Sequence, residues 1–138
     1  MIRTNAAASA AALAAGATGA TDVTGFGPLG HLRKMAEASR VDVTLDVPAV
    51  PIMPGIRELA AAGVVPGGTR RNWAWVADRV DPGATDELDR LLLADAQTSG
   101  GLLFGAERGR AERAVAELGG TAAVIGEVCS GTGRILLR

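Results

Sequence analysis

The stretch VDVTLDV, residues 41–47, sets Val41, Val43, Leu45 and Val47 against Asp42, Thr44 and Asp46. A strict period of two puts the four apolar side chains on one face of a strand and the polar ones on the other. That is the pattern of a half-buried strand. From Pro28 to about Ser39, Leu29, Leu32, Met35 and Ala36 recur at three-to-four-residue spacing and define one helical face. Pro28 suits the first turn of that helix, where its missing N–H costs nothing.

The rest of the chain alternates in the same way. Residues 5–15 are almost all alanine, the best intrinsic helix former, with Asn5 as candidate N-cap and Gly16 at the end. Ala17 to Val23 reads as a short strand or extended link. Prolines 48, 51 and 54 form an extended connection, and GIRELAAAG at 55–63 a short helix closed by Gly63. VPGGTRRN at 65–72 reads as a loop turning into a helix at Thr69, with Trp73 and Trp75 compatible with strand or helix edge. TDELDRLLLAD at 85–95 predicts a helix with Thr85 as N-cap and Leu88, Leu91 and Leu92 on one face. A strand at 101–106, a helix from Arg108 to Leu118, a strand from Ala122 to Val128 and a last one from Arg134 to Leu137 complete the pattern. The expected fold is a layered α/β (α+β) domain, a mixed sheet packed by helices, without internal repeat or linker.

Composition bounds the function. The 138 residues fit one domain, and 48% apolar content supplies a core. Fourteen basic against 15 acidic residues, a net charge of −1, gives no basic surface for nucleic acid or membrane. With no tyrosine and only Phe26, Phe104, Trp73 and Trp75 as aromatics, base-stacking surfaces are not expected. The alanine-rich N-terminus superficially resembles a secretory leader, but alanine drives insertion weakly and no run approaches the ~20 apolar residues of a membrane span. A lone cysteine, Cys129, excludes an internal disulfide framework, fits a reducing cytosol and, with the lone His31, is too little for a zinc site. Cys129 has no histidine or cysteine near it in sequence and reads as structural.

Chemistry concentrates in three stretches. In ATDVTGFGPLGHL, 20–32, Asp22 has two readings. It caps the following helix by accepting orphan N–H groups, or it offers hard oxygen, with Thr21 and Thr24 beside it, to Mg²⁺ bridging phosphates. Gly25, Gly27 and Gly30 fit the G-x-G-x-x-G spacing, but the acids 20 residues on are explained by the alternating strand. DAQTSGG at 95–101 is a self-bonded turn or an anion nest, and PGGT at 66–69, followed by Arg70 and Arg71, invites the same pair of readings. His31, on the margin of its helix face beside Met35, is expected to be packed or partly exposed, since no partner for a general base is visible.

These stretches, TDVTGFGPLGHL at 21–32, PGGTRRN at 66–72 and DAQTSGGLL at 95–103, resemble in order the C-terminal domain of selenophosphate synthetase (selenide, water dikinase), of the aminoimidazole ribonucleotide synthetase-like superfamily. Pro28 stands where that family usually has leucine and Ala96 where it has proline. The resemblance implies that residues 1–138 form a single C-terminal domain, with the N-terminal catalytic domain absent. It implies an enzyme that makes selenophosphate from selenide, ATP and water with Mg²⁺, in which this domain supplies one wall of the ATP site. Asp22 would be the metal ligand and Thr21, Thr24 and Gly25 would shape the wall; no residue here would be catalytic, and the domain alone would be inactive. Partners would be ATP and selenide in the whole enzyme and the missing domain or a separate chain, in the cytoplasm. Two other readings stand beside it: another ATP-dependent superfamily member, similar to thiamine monophosphate kinase, and a non-catalytic assembly module.

Overall fold

The computed structural model describes residues 4–138; Met1 to Arg3, the start of the leader-like stretch, lie outside them. In chain order the elements are α1 Ala6–Ala14, β1 Gly19–Asp22, α2 Gly27–Ser39, β2 Val41–Leu45, α3 Ile56–Ala61, α4 Gly67–Val76, β3 Val80–Asp81, α5 Glu87–Leu93, β4 Leu102–Gly105, α6 Arg108–Leu118, β5 Gly126–Ser130 and β6 Ile135–Leu137. The α/β expectation is met, with one refinement: the strands divide into two sheets. A four-stranded mixed sheet runs β3-β6-β2-β5, and β1 pairs with β4 in a separate antiparallel ribbon.

The alternating stretch builds the centre of the larger sheet. β2 lies parallel to β6 and antiparallel to β5, so Val43 and Leu45 sit beside Ile135 and Leu137. Leu29, Leu32 and Ala36 of α2, Val76 of α4 and Leu93 of α5 close over that face in one core. Leu29, Leu93, Ile135, Leu137 and Val76 are almost completely buried, each such side chain contributing about 1.5–3 kcal/mol relative to exposure. A second, smaller core explains the alanine-rich helix. Ala11 of α1 and Ala15 just after it meet Ala114 of α6, with Phe104 of β4 against them, and methyl side chains let the two helices approach closely.

Several local expectations need correction. Asn5 precedes α1 but makes no side-chain cap; its Nδ2 reaches the Gly100 carbonyl instead, at 3.5 Å. The α5 cap is Asp86, not Thr85: its Oδ1 accepts the Asp89 N–H at 2.7 Å, and a carboxylate is a strong acceptor beside the positive end of a helix. Helix α4 starts at Gly67, two residues before Thr69, and contains both tryptophans. The strand expected at 122–128 forms at 126–130, because pairing with β2 fixes its register from Gly126 opposite Leu45 to Ser130 opposite Val41. Pro48 lies in a short 3-10 turn, Val47–Ala49, rather than in extended chain. Cys129 is an exposed thiol on β5, so burial does not explain it. Among the described residues no helix is long and apolar enough to cross a membrane.

Candidate functional site

The segment from the end of β1 to the start of α2, residues 21–27, is where the three distant sequence stretches meet. Beyond the last β1 pair, Asp22 opposite Leu102, the chain keeps following its neighbour. The Val23 N–H donates to the Gly101 carbonyl at 2.9 Å and the Gly100 N–H to the Val23 carbonyl at 2.8 Å. The contact is so close that a Cβ on Gly100 would lie 2.6 Å from the Val23 oxygen. Gly27 is equally tight. It has φ +67°, a region that suits glycine, and a Cβ there would lie 2.6 Å from the Asp95 carbonyl.

The 66–72 stretch braces this arrangement from below. Buried Asn72 donates from Nδ2 to the Gly25 carbonyl at 2.8 Å and to the Ala94 carbonyl at 3.0 Å. Buried Thr69 donates its hydroxyl to Asp95 Oδ1 at 2.8 Å and accepts the Ala96 N–H at 3.3 Å. Unpaired buried polar groups cost about 1–3 kcal/mol each, and among the described residues every buried side-chain nitrogen or oxygen has a partner. Within 95–101 the Ala96, Gln97 and Gly100 amides donate to Thr69, Thr24 and Val23, so these three donors are taken up by the chain itself. Arg70 and Arg71 are exposed and lie outside this network.

What the braced segment presents is Asp22. The capping reading fails, because α2 begins after Phe26 and carries no side-chain cap. Asp22 is exposed, and among the described residues no hydrogen bond ends on its carboxylate. Gly25 is exposed too, and a Cβ placed on it would meet nothing within 4 Å. Thr21 and Thr24 are half-buried and turned toward His31. His31 Nε2 accepts the Thr24 N–H at 3.1 Å, with the Thr24 hydroxyl at 3.2 Å from the same nitrogen. Its Nδ1 lies 3.4 Å from Thr21 Oγ1, which in turn donates to the Asp22 carbonyl at 3.0 Å. The partners that periodicity does not reveal are thus two threonines, one at the end of β1 and one on the loop just before the helix.

The donor set tests which ion this corner suits. Among the described residues no three His, Cys, Asp or Glu side chains are grouped to hold a metal. One free carboxylate fits Mg²⁺, which is commonly held by one or two carboxylates plus substrate phosphates and retained waters. It does not fit a cage made by this chain alone.

Aromatic side chains border the corner. Phe26, 55% exposed, packs edge-on to His31 with ring centroids 5.9 Å apart and lies 5.7 Å from Trp75. The Arg33 guanidinium stands 4.6 Å from the Trp75 ring, and Lys34 Nζ 5.4 Å.

A layered domain whose three glycine-rich stretches converge on one loop matches a known family. The model described as AIR synthase related protein, C-terminal domain, matches residues 1–137, and the chain belongs to that family. Its curated relatives are more specific. A selenide, water dikinase of Porphyromonas gingivalis is 45% identical over 107 residues, covering 74% of this chain and 30% of the relative. One of Myxococcus xanthus is 45% identical over 111 residues, 78% of this chain and 32% of the relative. One of Rhizobium meliloti is 49% identical over 80 residues, 57% and 23% respectively. The chain spans about 30% of the length of such relatives.

Proposed function

We propose that this chain is the C-terminal domain of a selenophosphate synthetase and supplies one wall of an ATP and Mg²⁺ site for the ATP-dependent phosphorylation of selenide, in the cytoplasm. The observation that carries this reading is the exposed Asp22 carboxylate, free of backbone partners, on a loop clamped by 66–72 and 94–101. Similarity to selenide, water dikinases supplies the substrate class.

In this reading Asp22 is a metal ligand, and Thr21, Thr24 and Gly25 shape the wall. Mg²⁺, when bound, neutralises phosphate charge and orients the phosphate chain. The chain's own contribution is positional: a carboxylate carried on a braced backbone, beside a glycine that leaves room for a ligand. The catalytic groups and the other metal-binding carboxylates belong to an N-terminal domain, on the same or a separate chain. A single wall leaves phosphate and nucleophile unoriented, and orientation supplies much of the rate in phosphoryl transfer. The 138-residue chain alone is therefore inactive.

Complementation tests this. The chain mixed with the N-terminal two-thirds of the Porphyromonas gingivalis relative is expected to give ATP-dependent selenophosphate, detectable by phosphorus NMR, whereas the chain alone gives none and Asp22→Asn abolishes the restored activity. Turnover by the chain alone, or full activity of Asp22→Asn in the mixture, contradicts the reading. A second reading, a non-catalytic assembly module, draws on exposed Phe26 and Trp75 beside the corner; stable mixing without turnover favours it.

A further inference from the structure

We propose that His31, as the neutral tautomer protonated on Nδ1, is the positioning residue that clasps the Thr21–Thr24 loop and thereby aims the Asp22 carboxylate. The aiming role rests on the reading of Asp22 as a metal ligand; the clasp rests on geometry alone. The Thr24 backbone N–H points at Nε2 from 3.1 Å. A backbone N–H can only donate, so Nε2 must carry a lone pair there. In a neutral imidazole the proton then sits on Nδ1, where the nearest acceptor is Thr21 Oγ1 at 3.4 Å. That hydroxyl in turn donates its own O–H to the Asp22 carbonyl at 3.0 Å. One ring thus grips the loop on both sides of Asp22 and Val23, through a backbone amide on one side and a relayed hydroxyl on the other.

The ring itself has little freedom. It projects from α2, whose Leu29 and Leu32 on either side in sequence are buried in the larger core, and the Phe26 ring packs against it edge-on. The rigid helix is the anvil and the loop is what it holds. A carboxylate at the end of a strand has free side-chain rotation, but its backbone direction is set at both neighbours. Such outer partners commonly matter to ligand geometry nearly as much as the ligands themselves.

Because the chain has one histidine, its imidazole nitrogens can be read without assignment ambiguity. Long-range ¹H–¹⁵N spectra of the ¹⁵N-labelled full chain near pH 8 are expected to show Nδ1 protonated and Nε2 bare. The opposite tautomer overturns the clasp, and this readout needs no variant. His31→Ala is expected to speed Thr24 amide exchange about tenfold, the consequence of one lost hydrogen bond. His31→Gln, whose amide offers both an acceptor and a donor, is expected to restore exchange to within about threefold of the parent. Unchanged exchange in His31→Ala overturns the proposal.

Mn²⁺ alone serves as the probe of aiming. It is expected to broaden amides 21–25 in the parent, not in Asp22→Asn, and at about tenfold higher concentration in His31→Ala, with His31→Gln close to the parent. Broadening equal in parent and His31→Ala overturns the aiming role. Absence of Asp22-dependent broadening in the parent overturns the aiming role, while tautomer and exchange still decide the clasp and complementation with the N-terminal domain decides the metal reading.

Discussion

Asp22 and Asp42 are both strand aspartates near tight turns, and their surroundings separate them completely. Asp42 Oδ1 accepts three backbone N–H groups from the turn between β5 and β6: Thr132 at 2.7 Å, Gly133 at 3.1 Å and Arg134 at 2.9 Å. Its carboxyl is held below the ordinary 3.8, first by the Arg134 N–H, then by those of Thr132 and Gly133 and the Arg134 charge, against the opposing effect of burial. Asp22 caps no helix and faces solvent. A carboxylate saturated by backbone donors staples the fold, and one that the fold orients without saturating is available to a ligand.

The comparison can be broken from the Asp22 side by disturbing what supports it. Gly27→Ala places a side chain at φ +67° and against the Asp95 carbonyl, and is expected to cost about 2–3 kcal/mol in urea unfolding. A cost near zero would mean that 94–96 does not brace the loop. Asn72→Ala strips the Gly25 and Ala94 carbonyls of their shared donor and should cost about 1–3 kcal/mol, with chemical-shift changes reaching Gly25.

From the Asp42 side, Asp42→Ala should lower the melting temperature at pH 7 and loosen residues 131–134 in amide exchange, leaving 21–25 unchanged. The pH dependence sharpens the point. A carboxyl with a depressed folded value contributes its full stability above the unfolded value, near 3.8, and loses it as pH falls through the lower folded one. Glu107, also held low, chiefly by the Gly109 N–H and then that of Arg110, adds to the same acid loss. Melting between pH 6 and pH 3 should therefore fall more steeply in the parent than in Asp42→Asn. The smallest effect belongs to Asp22→Asn, expected to leave stability within about 0.5 kcal/mol of the parent, as for an exposed side chain without partners.

Much of this architecture is legible in the sequence because it rests on local period. The face of α2, the alternation of β2 and the bounds of α6, Arg108–Leu118, follow from residues adjacent in the chain. Pairing is less legible. β3 is two residues long and exists through its ladder with β6, and β5 is displaced toward its C-terminal end because its partner, not its own apolar run, sets the register. The corner around Asp22 is half legible. Its residue types stand together in 21–25, but the brace from Asn72 to Gly25 joins positions 47 apart, and no local pattern foretells it. His31 is the instructive miss: its partners are only seven and ten residues away, yet they lie across a loop, where helical spacing carries no information.

The most direct test of the account is a calorimetric titration of Mg²⁺ and ATP into the chain combined with an N-terminal dikinase domain, run in parallel on Asp22→Asn and Asp42→Asn. The account predicts binding in the parent, a loss of about tenfold or more with Asp22→Asn, and parent-like affinity with Asp42→Asn. Equal affinity in parent and Asp22→Asn would contradict it.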